Sequence, residues 1–99
     1  MKSKATVSTE KGARYMKALI NHFSRKIDAS YEGEHGQISF GFGRCDIEAL
    51  SDSLAFVAES ASQPELDQLE GVINSHLKRF TQDEIVTLDW KAIDIETTA

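Results

Sequence analysis

The sequence predicts an α+β domain in two layers, in which an antiparallel sheet of four to six strands carries two amphipathic helices on one face. Apolar residues recur every three or four positions in two separated segments, a spacing typical of helices that bury one side. In the other segments apolar and polar residues alternate, which is typical of half-buried strands. Because the strands form a consecutive run, the pattern favours α+β over a doubly wound parallel sheet. The predicted order of elements is (β)αββββαβ.

Length and composition indicate one domain spanning residues 1–99, with an ordered core at about 4–92 and a flexible tail at 93–99. The 99 residues are 40% hydrophobic, which is enough to bury one core without disulfide or metal cross-links. No stretch holds the roughly 18 apolar residues that a membrane helix needs, and no apolar run follows the basic start, so neither membrane insertion nor secretion is expected. The single cysteine, Cys45, cannot form an internal disulfide. We therefore expect a cytoplasmic protein.

The first helix is predicted over Thr9–Lys26, with Ser8 as its N-cap. One apolar stripe at helical spacing supports it, formed by Tyr15, Met16, Leu19, Ile20, Phe23 and Ile27. This stripe is expected to face the sheet, and the basic residues between its members are expected to face water. Ahead of the helix, the short segment Ala5–Val7 is predicted to add an edge strand.

Four short strands are predicted between the helices. The segments Ala29–Glu32 and Gln37–Gly41 can pair across the polar turn of residues 33–36, and a tight glycine turn leads into Arg44–Leu50. The fourth strand is Leu54–Glu59, so the run is an antiparallel meander. Charged and apolar side chains alternate in the third strand, so one face of the sheet is expected to be wet.

The second helix is predicted to begin at a capping box, Ser62-Gln63-Pro64-Glu65, and to end near Phe80. Its apolar side is formed by Leu66, Leu69, Ile73, Leu77 and Phe80, which recur at helical spacing. A last strand is predicted at Ile85–Trp90 and completes the sheet. Trp90 is expected to contribute to the core or to a dimer contact.

Charge is unevenly distributed along the chain. The formal net charge of −5 argues against non-specific nucleic-acid binding, because such binding depends on neutralising phosphates. Residues 1–27 nevertheless hold seven of the eleven basic residues and one of the sixteen acidic residues. The simpler interpretation is a basic first helix on an acidic body. The functional interpretation is an electrostatic docking face for a protein partner, formed by Lys11, Arg14, Lys17 and Arg25.

The sequence lacks the motifs that are typical of enzyme active sites. The P-loop, dinucleotide and nucleophile-elbow patterns are absent, as are paired cysteines at zinc-site spacing. Asp46 and Glu48 project together from one strand, but neighbouring acids are ordinary on a wet sheet face. His35 lies in a predicted polar turn, where solvation explains it. The sequence therefore favours a non-enzymatic domain, and it requires no cofactor.

Two histidines are the main candidates for a binding site. His22 and His76 flank the apolar stripes of the two helices, so both are expected near the helix–helix seam. With Cys45 from the inner face of a strand, they could bind iron or another transition metal, or haem. The alternative is structural, with two half-buried histidines bonded to backbone or carboxylate partners and a cysteine that fills the core. The sequence leaves both interpretations open.

Several residue groups, taken with their spacing, resemble one small bacterial family. They are Ala13-Arg14-Tyr15-Met16-Lys17, Asn21-His22-Phe23 with Lys26, Phe42-Gly43-Arg44-Cys45, Ser75-His76-Leu77-Lys78-Arg79-Phe80 and Leu88-Asp89-Trp90. The family is DUF2218, a domain of unknown function, and the resemblance covers roughly residues 4–92. Its members occur alone or attached to siderophore-interacting flavin reductases. The resemblance thus implies a link to iron or siderophore handling, by association only.

The resemblance also implies a shared polar site. The positions that match the family's polar pattern are His22, Lys26, Cys45, His76 and Arg79. This chain lacks a flavin-binding domain, so the resemblance implies a free accessory module and not a flavin reductase. We therefore expect a non-enzymatic accessory or interaction domain, monomeric or homodimeric. The alternative is a small ligand- or metal-binding module that uses His22 and His76.

Overall fold

The described part of the chain contains six strands and two helices in the predicted order. In this computed structural model, residues 1–81 and 88–93 are described. The elements are β1 (Lys2–Ser8), α1 (Gly12–Phe23), β2 (Asp28–Glu32), β3 (His35–Phe40), β4 (Gly43–Ala49), β5 (Ser53–Ser60), α2 (Gln63–Phe80) and β6 (Lys91–Ile93). The predicted α+β class and element order are therefore confirmed.

The six strands form one antiparallel sheet in the order β2-β3-β4-β5-β1-β6. β1 lies inside the sheet, where it pairs with β5 along its whole length and with β6 over residues 2–4. The predicted strand at Ala5–Val7 is part of this longer strand, and among the described residues these three positions pair only with β5, as an edge strand does. The sequence pattern missed the extension to Lys2–Lys4, where β6 pairs on the other side.

The first helix, α1, is shorter at both ends than predicted. Ser8 is the last residue of β1 and not the helix N-cap. The chain turns after it, with the Lys11 N–H donating to Thr9 Oγ1. At the other end the Ile27 N–H donates to the Phe23 carbonyl as the chain turns towards β2. At the N-terminal end the sequence pattern overestimated the helix because Ser8 followed by Glu10 resembles a helix start, and at the C-terminal end because Ile27 continues the apolar spacing.

The second helix, α2, begins and ends where the sequence predicts. Its N-cap is Ser62, whose Oγ accepts the Glu65 N–H at 3.4 Å and donates to Glu65 Oε1 at 3.1 Å. Pro64 lies in the first turn, where its missing N–H costs no hydrogen bond. The helix ends at Phe80, after two basic residues whose charges suit the negative end of the helix dipole.

The hairpin between β2 and β3 is tighter than predicted. Glu32 pairs directly with His35, which leaves Gly33 and Glu34 as a two-residue turn. Gly33 has a φ of 61°, a backbone conformation that suits glycine at the first position of such a turn. His35 consequently begins β3 and does not lie in the turn.

The C-terminal strand begins later than predicted. Of the predicted segment Ile85–Trp90, the first three residues lie outside the described ones, and Leu88–Trp90 are not in a strand. Trp90 is held against α2 instead, because its indole N–H donates to Asn74 Oδ1 at 2.9 Å. Its ring lies 6.1 Å from that of Phe56, between centroids, so Trp90 borders the core as expected.

Both helices pack on the same face of the sheet and bury one hydrophobic core. Every second residue of β4 and β5 points into this core, which agrees with the predicted alternation. The largest contributions come from Tyr15, Met16, Leu19, Ile20, Ile38, Ile47, Leu54, Phe56, Leu66, Leu69 and Ile73. The intervening strand residues form the open face, the side of the sheet opposite the helices.

Gly43 lies where β4, β5 and α2 leave no room for a side chain. A β-carbon at this position of β4 would collide with Ser60 Oγ and the Glu59 carbonyl, and would lie 2.9 Å from Leu69 Cδ1 of α2. We expect Gly43→Ala to lower the free energy of unfolding by about 1–3 kcal/mol, because the packed contact has to open. Denaturant unfolding measures this change.

Gly71→Ala is the matched control. Gly71 lies in α2, where a β-carbon would meet nothing within 4 Å among the described residues. Alanine favours a helix by about 1 kcal/mol over glycine, so this variant should be more stable than the parent. If Gly43→Ala were as stable as the parent, the contact between β4 and α2 would be looser than the structure shows.

Candidate functional site

His22 and His76 lie against each other where the two helices meet, and this contact is the histidine seam. Their ring centroids are 5.1 Å apart and their planes are inclined by 48°. His22 comes one residue before the end of α1, and His76 precedes the buried Leu77 of α2. Both histidines are half-buried, at the border between core and surface. The fold therefore brings together the two residues on which the predicted site depends.

A backbone hydrogen bond fixes the orientation of His76. Its Nδ1 lies 2.8 Å from the Val72 carbonyl oxygen, one helical turn earlier, and 3.4 Å from Ser75 Oγ. Because a carbonyl can only accept, Nδ1 carries the proton, and Nε2 of the neutral ring keeps a free lone pair. Through Nε2, His76 can accept a hydrogen bond or bind a metal.

Phenylalanine rings surround the histidine seam. Between centroids, Phe23 lies 4.8 Å from His76 and 5.5 Å from His22, and Phe80 lies 6.0 Å from His22. The row continues through Phe40, which lies 5.3 Å from Phe23. Phe23 is buried in the core, so the part of this apolar wall that is open to a planar ligand consists of the half-buried rings of Phe40 and Phe80.

The sequence analysis missed the part of this wall that comes from β3. Phe40 is the last residue of the strand, and the turn after it places the Phe42 ring 5.5 Å away. The only sequence signal is a pair of phenylalanines around Gly41 at a strand end. Alternation along a strand does not show which of its ends lies beside α1, so the signal could not be interpreted.

The surroundings of His22 are basic. Partial burial lowers the pKa of His22 below its usual value of 6.5, and further lowering comes from the charges of His76, Arg79, Arg25 and Lys26. A proton on His22 would add positive charge where cations already lie, so the neutral ring is favoured. Lys26 and Arg79 were predicted for this site. Arg25 was assigned to the docking face, and its charge also lowers the pKa of His22.

Cys45 does not join the two histidines. Its side chain is fully buried in the core, and burial raises the pKa of the thiol, so it stays protonated and is a poor metal ligand. Within residues 1–81 and 88–93, no group of three or more histidine, cysteine, aspartate or glutamate side chains could hold a metal ion. The three-residue metal set considered from the sequence is therefore not assembled.

The predicted docking face lies on the outer side of α1 and beyond its end. Arg14, Lys17 and Arg25 are exposed, and Lys11 is half-exposed. Lys17 Nζ lies 5.8 Å from the centre of the Tyr31 ring on β2, a cation–π contact with the sheet edge. Exposure is necessary for docking but identifies no partner, so the docking face stays a prediction.

These features define a small α+β domain whose distinguishing site is a pair of histidines between aromatic and basic residues. Over the described residues, neither helix is long and apolar enough to cross a membrane. The chain belongs to the family of uncharacterized proteins conserved in bacteria, DUF2218, whose profile matches residues 4–91. The family membership indicated by the residue pattern is thereby confirmed.

A solved structure supports the same fold. The chain is similar to PA4090 from Pseudomonas aeruginosa, determined by NMR, at 29% sequence identity and a TM-score of 0.77. The similarity covers 91% of this chain and 94% of that chain. A comparison with curated proteins gives no match. Family and fold are therefore established, while the siderophore link stays a prediction.

The lowered pKa of His22 predicts that stability falls in mild acid. The unfolded chain binds this proton near the ordinary pKa of 6.5, whereas the folded chain binds it only at lower pH. As the pH falls below 6.5, the unfolded state therefore gains protons first and the free energy of unfolding decreases, until the folded-state pKa is passed. We expect His22→Gln to lose this part of the pH dependence, measured by denaturant unfolding between about pH 5 and 7.

His35→Gln is the control for this experiment, because His35 is exposed at the start of β3. It should keep the pH dependence of the wild type. If His22→Gln instead followed the wild-type curve, the acid sensitivity would have to come from another group.

Proposed function

We propose that the protein is a non-enzymatic module that binds a small anionic ligand at the histidine seam. The observation that carries the proposal is the approach of the His22 and His76 rings, whose centroids are 5.1 Å apart, beside the cations Arg25, Lys26 and Arg79. Neutral imidazoles can donate and accept hydrogen bonds, and the nearby cations attract negative charge. The free, buried Cys45 is compatible with the cytoplasmic location that we propose for it.

Charge favours an anion over a bare metal ion. A divalent cation on the two imidazoles would lie near Arg25, Lys26 and Arg79, and the described residues supply no third ligand from the usual set to offset its charge. An anion meets the opposite situation, because guanidinium groups pair well with carboxylate, phosphate and similar oxygens. The site therefore suits a metal that arrives inside an anionic chelate better than a free metal.

The aromatic wall narrows the ligand class further. The half-buried Phe80 ring lies 6.0 Å from that of His22, between centroids, and planar or aromatic groups pack favourably against such a ring. A ferric catecholate siderophore combines negative charge with aromatic rings, and the association of family members with siderophore-interacting flavin reductases favours this class. Its iron is already enclosed by chelator oxygens. In this proposal His22 and His76 therefore bond to the oxygens and do not bind the iron.

A purely structural role for the histidines explains less. His76 does have a backbone partner in Val72, and basic residues near a helix end offset the helix dipole. His22 can also pack as a neutral ring against Phe23 and Phe80, but a structural role leaves the positive charges of Arg25, Lys26 and Arg79 around it without a purpose. A bound anion would balance these charges.

Ligand titrations of isotope-labelled protein, followed by NMR of the imidazole and amide groups, test the proposal. The probes are gallium(III) complexes of an anionic tris-catecholate and of an uncharged trihydroxamate, because gallium replaces iron without paramagnetic broadening. We expect the signals of His22 and His76 to shift and to saturate at one equivalent with the anionic complex. The uncharged complex should cause little change.

Variants locate the binding to the seam. The double variant His22→Gln/His76→Gln and the single variant Arg79→Gln should each raise the dissociation constant about tenfold or more, because a hydrogen bond to a charged group contributes about 1.5–3 kcal/mol. His35→Gln should bind as the wild type does. Saturable shifts with zinc but not with the complexes would indicate a simple metal site. Spectra unchanged by every probe would leave the histidines structural.

The exposed basic residues of α1 support a second candidate, an interaction domain that recruits an acidic protein partner. Arg14 and Lys17 are exposed on the outer side of the helix. Capture of such a partner should weaken at high salt and in a variant carrying Lys11→Glu, Arg14→Glu and Lys17→Glu. Because that variant keeps Arg25, it leaves the cations around His22 in place.

A further inference from the structure

The open face of the sheet carries opposite charges on the two sides of its central strand. Cross-strand pairing arranges the outward residues in rows that cross β5. One row contains Lys91 of β6, Lys4 of β1, Val57 of β5, Asp46 of β4 and Gln37 of β3. In this row the β1 side of β5 is therefore basic and the β4 side is acidic, whereas β4 presents a cation, Arg44, in the row next to it.

The two neighbouring rows differ in the residue that β5 contributes at the centre of this face. Towards one end of the sheet, Ala55 of β5 lies beside Glu48 of β4. Towards the other end, Glu59 of β5 lies between Lys2 and Arg44, and Arg44 Nε is 3.4 Å from Glu59 Oε1. In its own row Asp46 lies between Val57 and Gln37, and Glu48 lies between Ala55 and His35.

We propose that a second copy of this chain covers the open face, with a two-fold axis parallel to β5. Rotation about this axis sets β5 over β5 and sets β1 of each copy over β4 of the other. Lys4 then faces Asp46 of the second copy, twice in the dimer, and Val57 meets Val57 on the axis. Such an interface is self-complementary, as a two-fold dimer requires. Two sheets stacked face to face lie about 10 Å apart, which accommodates one layer of side chains from each.

Charge disfavours a two-fold axis that crosses the strands at the row of Val57. Such an axis would set β1 on β1 and β4 on β4, so that Lys4 faced Lys4 and Asp46 faced Asp46, and like charges brought together weaken an interface. With the axis along β5, Lys2 faces Arg44 of the second copy and Glu59 faces Glu59. The two Glu59 carboxylates then lie among four cations, Lys2 and Arg44 of each copy.

In the single chain, the charged side chains on β1 and β4 that this interface would use do not pair with each other. Over the described residues, Lys4 forms no ion pair with Asp46 or Glu48, although all three line a shallow hollow of about 240 Å³ above Ala55 and Val57. A side chain of the second copy can enter this hollow. The interface lies on the opposite side of the sheet from the histidine seam, so it does not depend on the proposed ligand.

A charge exchange between copies tests the proposal by sedimentation equilibrium of the full chain. Lys4→Glu and Asp46→Lys each replace two attractive contacts with two repulsive ones, so either variant alone should raise the dimer dissociation constant about tenfold or more. In an equimolar mixture, the heterodimer of the two variants regains both attractive contacts. Its dissociation constant should return to within about threefold of the wild-type value.

Arg14→Glu, on the outer side of α1, is the control and should leave the dimer unchanged. Circular dichroism confirms that each variant is folded, which is expected because all the substitutions lie at positions facing away from the core. The proposal is overturned if the wild-type chain sediments as a monomer at the protein concentration used for the NMR titrations. A dimer that neither charge reversal weakens, or a mixture that does not recover, overturns it as well, because the copies would then meet through another surface.

Discussion

The register of β4 against β5 is the constraint on which the rest of the structure depends. Cys45 pairs with Ala58 and Ile47 with Phe56, so the two strands share one apolar face, while Asp46 and its neighbours face the other way. Since successive side chains point to opposite faces, a slip of one residue would turn acids into the core and leave the helices without a surface to cover. Both candidate functional surfaces follow from this register, the histidine seam on the helix side and the charged open face opposite it.

The histidine seam depends in turn on where α2 lies over the sheet. Gly43 leaves room for the Leu69 side chain beside β4, and this is one of the core contacts that place α2 over the sheet. His76 follows Leu69 by seven residues, about two turns or roughly 10 Å, and there it meets His22 of α1. A displacement of α2 by one turn would separate the imidazoles, so a packing contact in the core determines the geometry of a site at the surface.

Local patterns in the sequence predicted those features that are determined locally. The cap at Ser62 and the apolar stripe after it define α2 without reference to any other element. The interior position of β1 could not be predicted, because it depends on β5 and β6, which are distant in sequence. For the site, the convergence of His22 and His76 followed from their places on two helices, whereas the exclusion of Cys45 depends on how deeply its strand is buried.

The electrostatics of the histidine seam distinguish an anion from a metal ion by the way each couples to protons. A metal ion binds neutral imidazoles and competes with protons, so acid would release it. A bound anion offsets the charges of Arg79 and Lys26 that hold the pKa of His22 down, and thereby favours its protonation. Linkage makes the coupling reciprocal, so protonation of His22 strengthens the binding of the anion by the same factor. Mild acid should therefore weaken the fold slightly in the free protein and tighten the complex, a combination that two structural histidines or a metal pair would not produce.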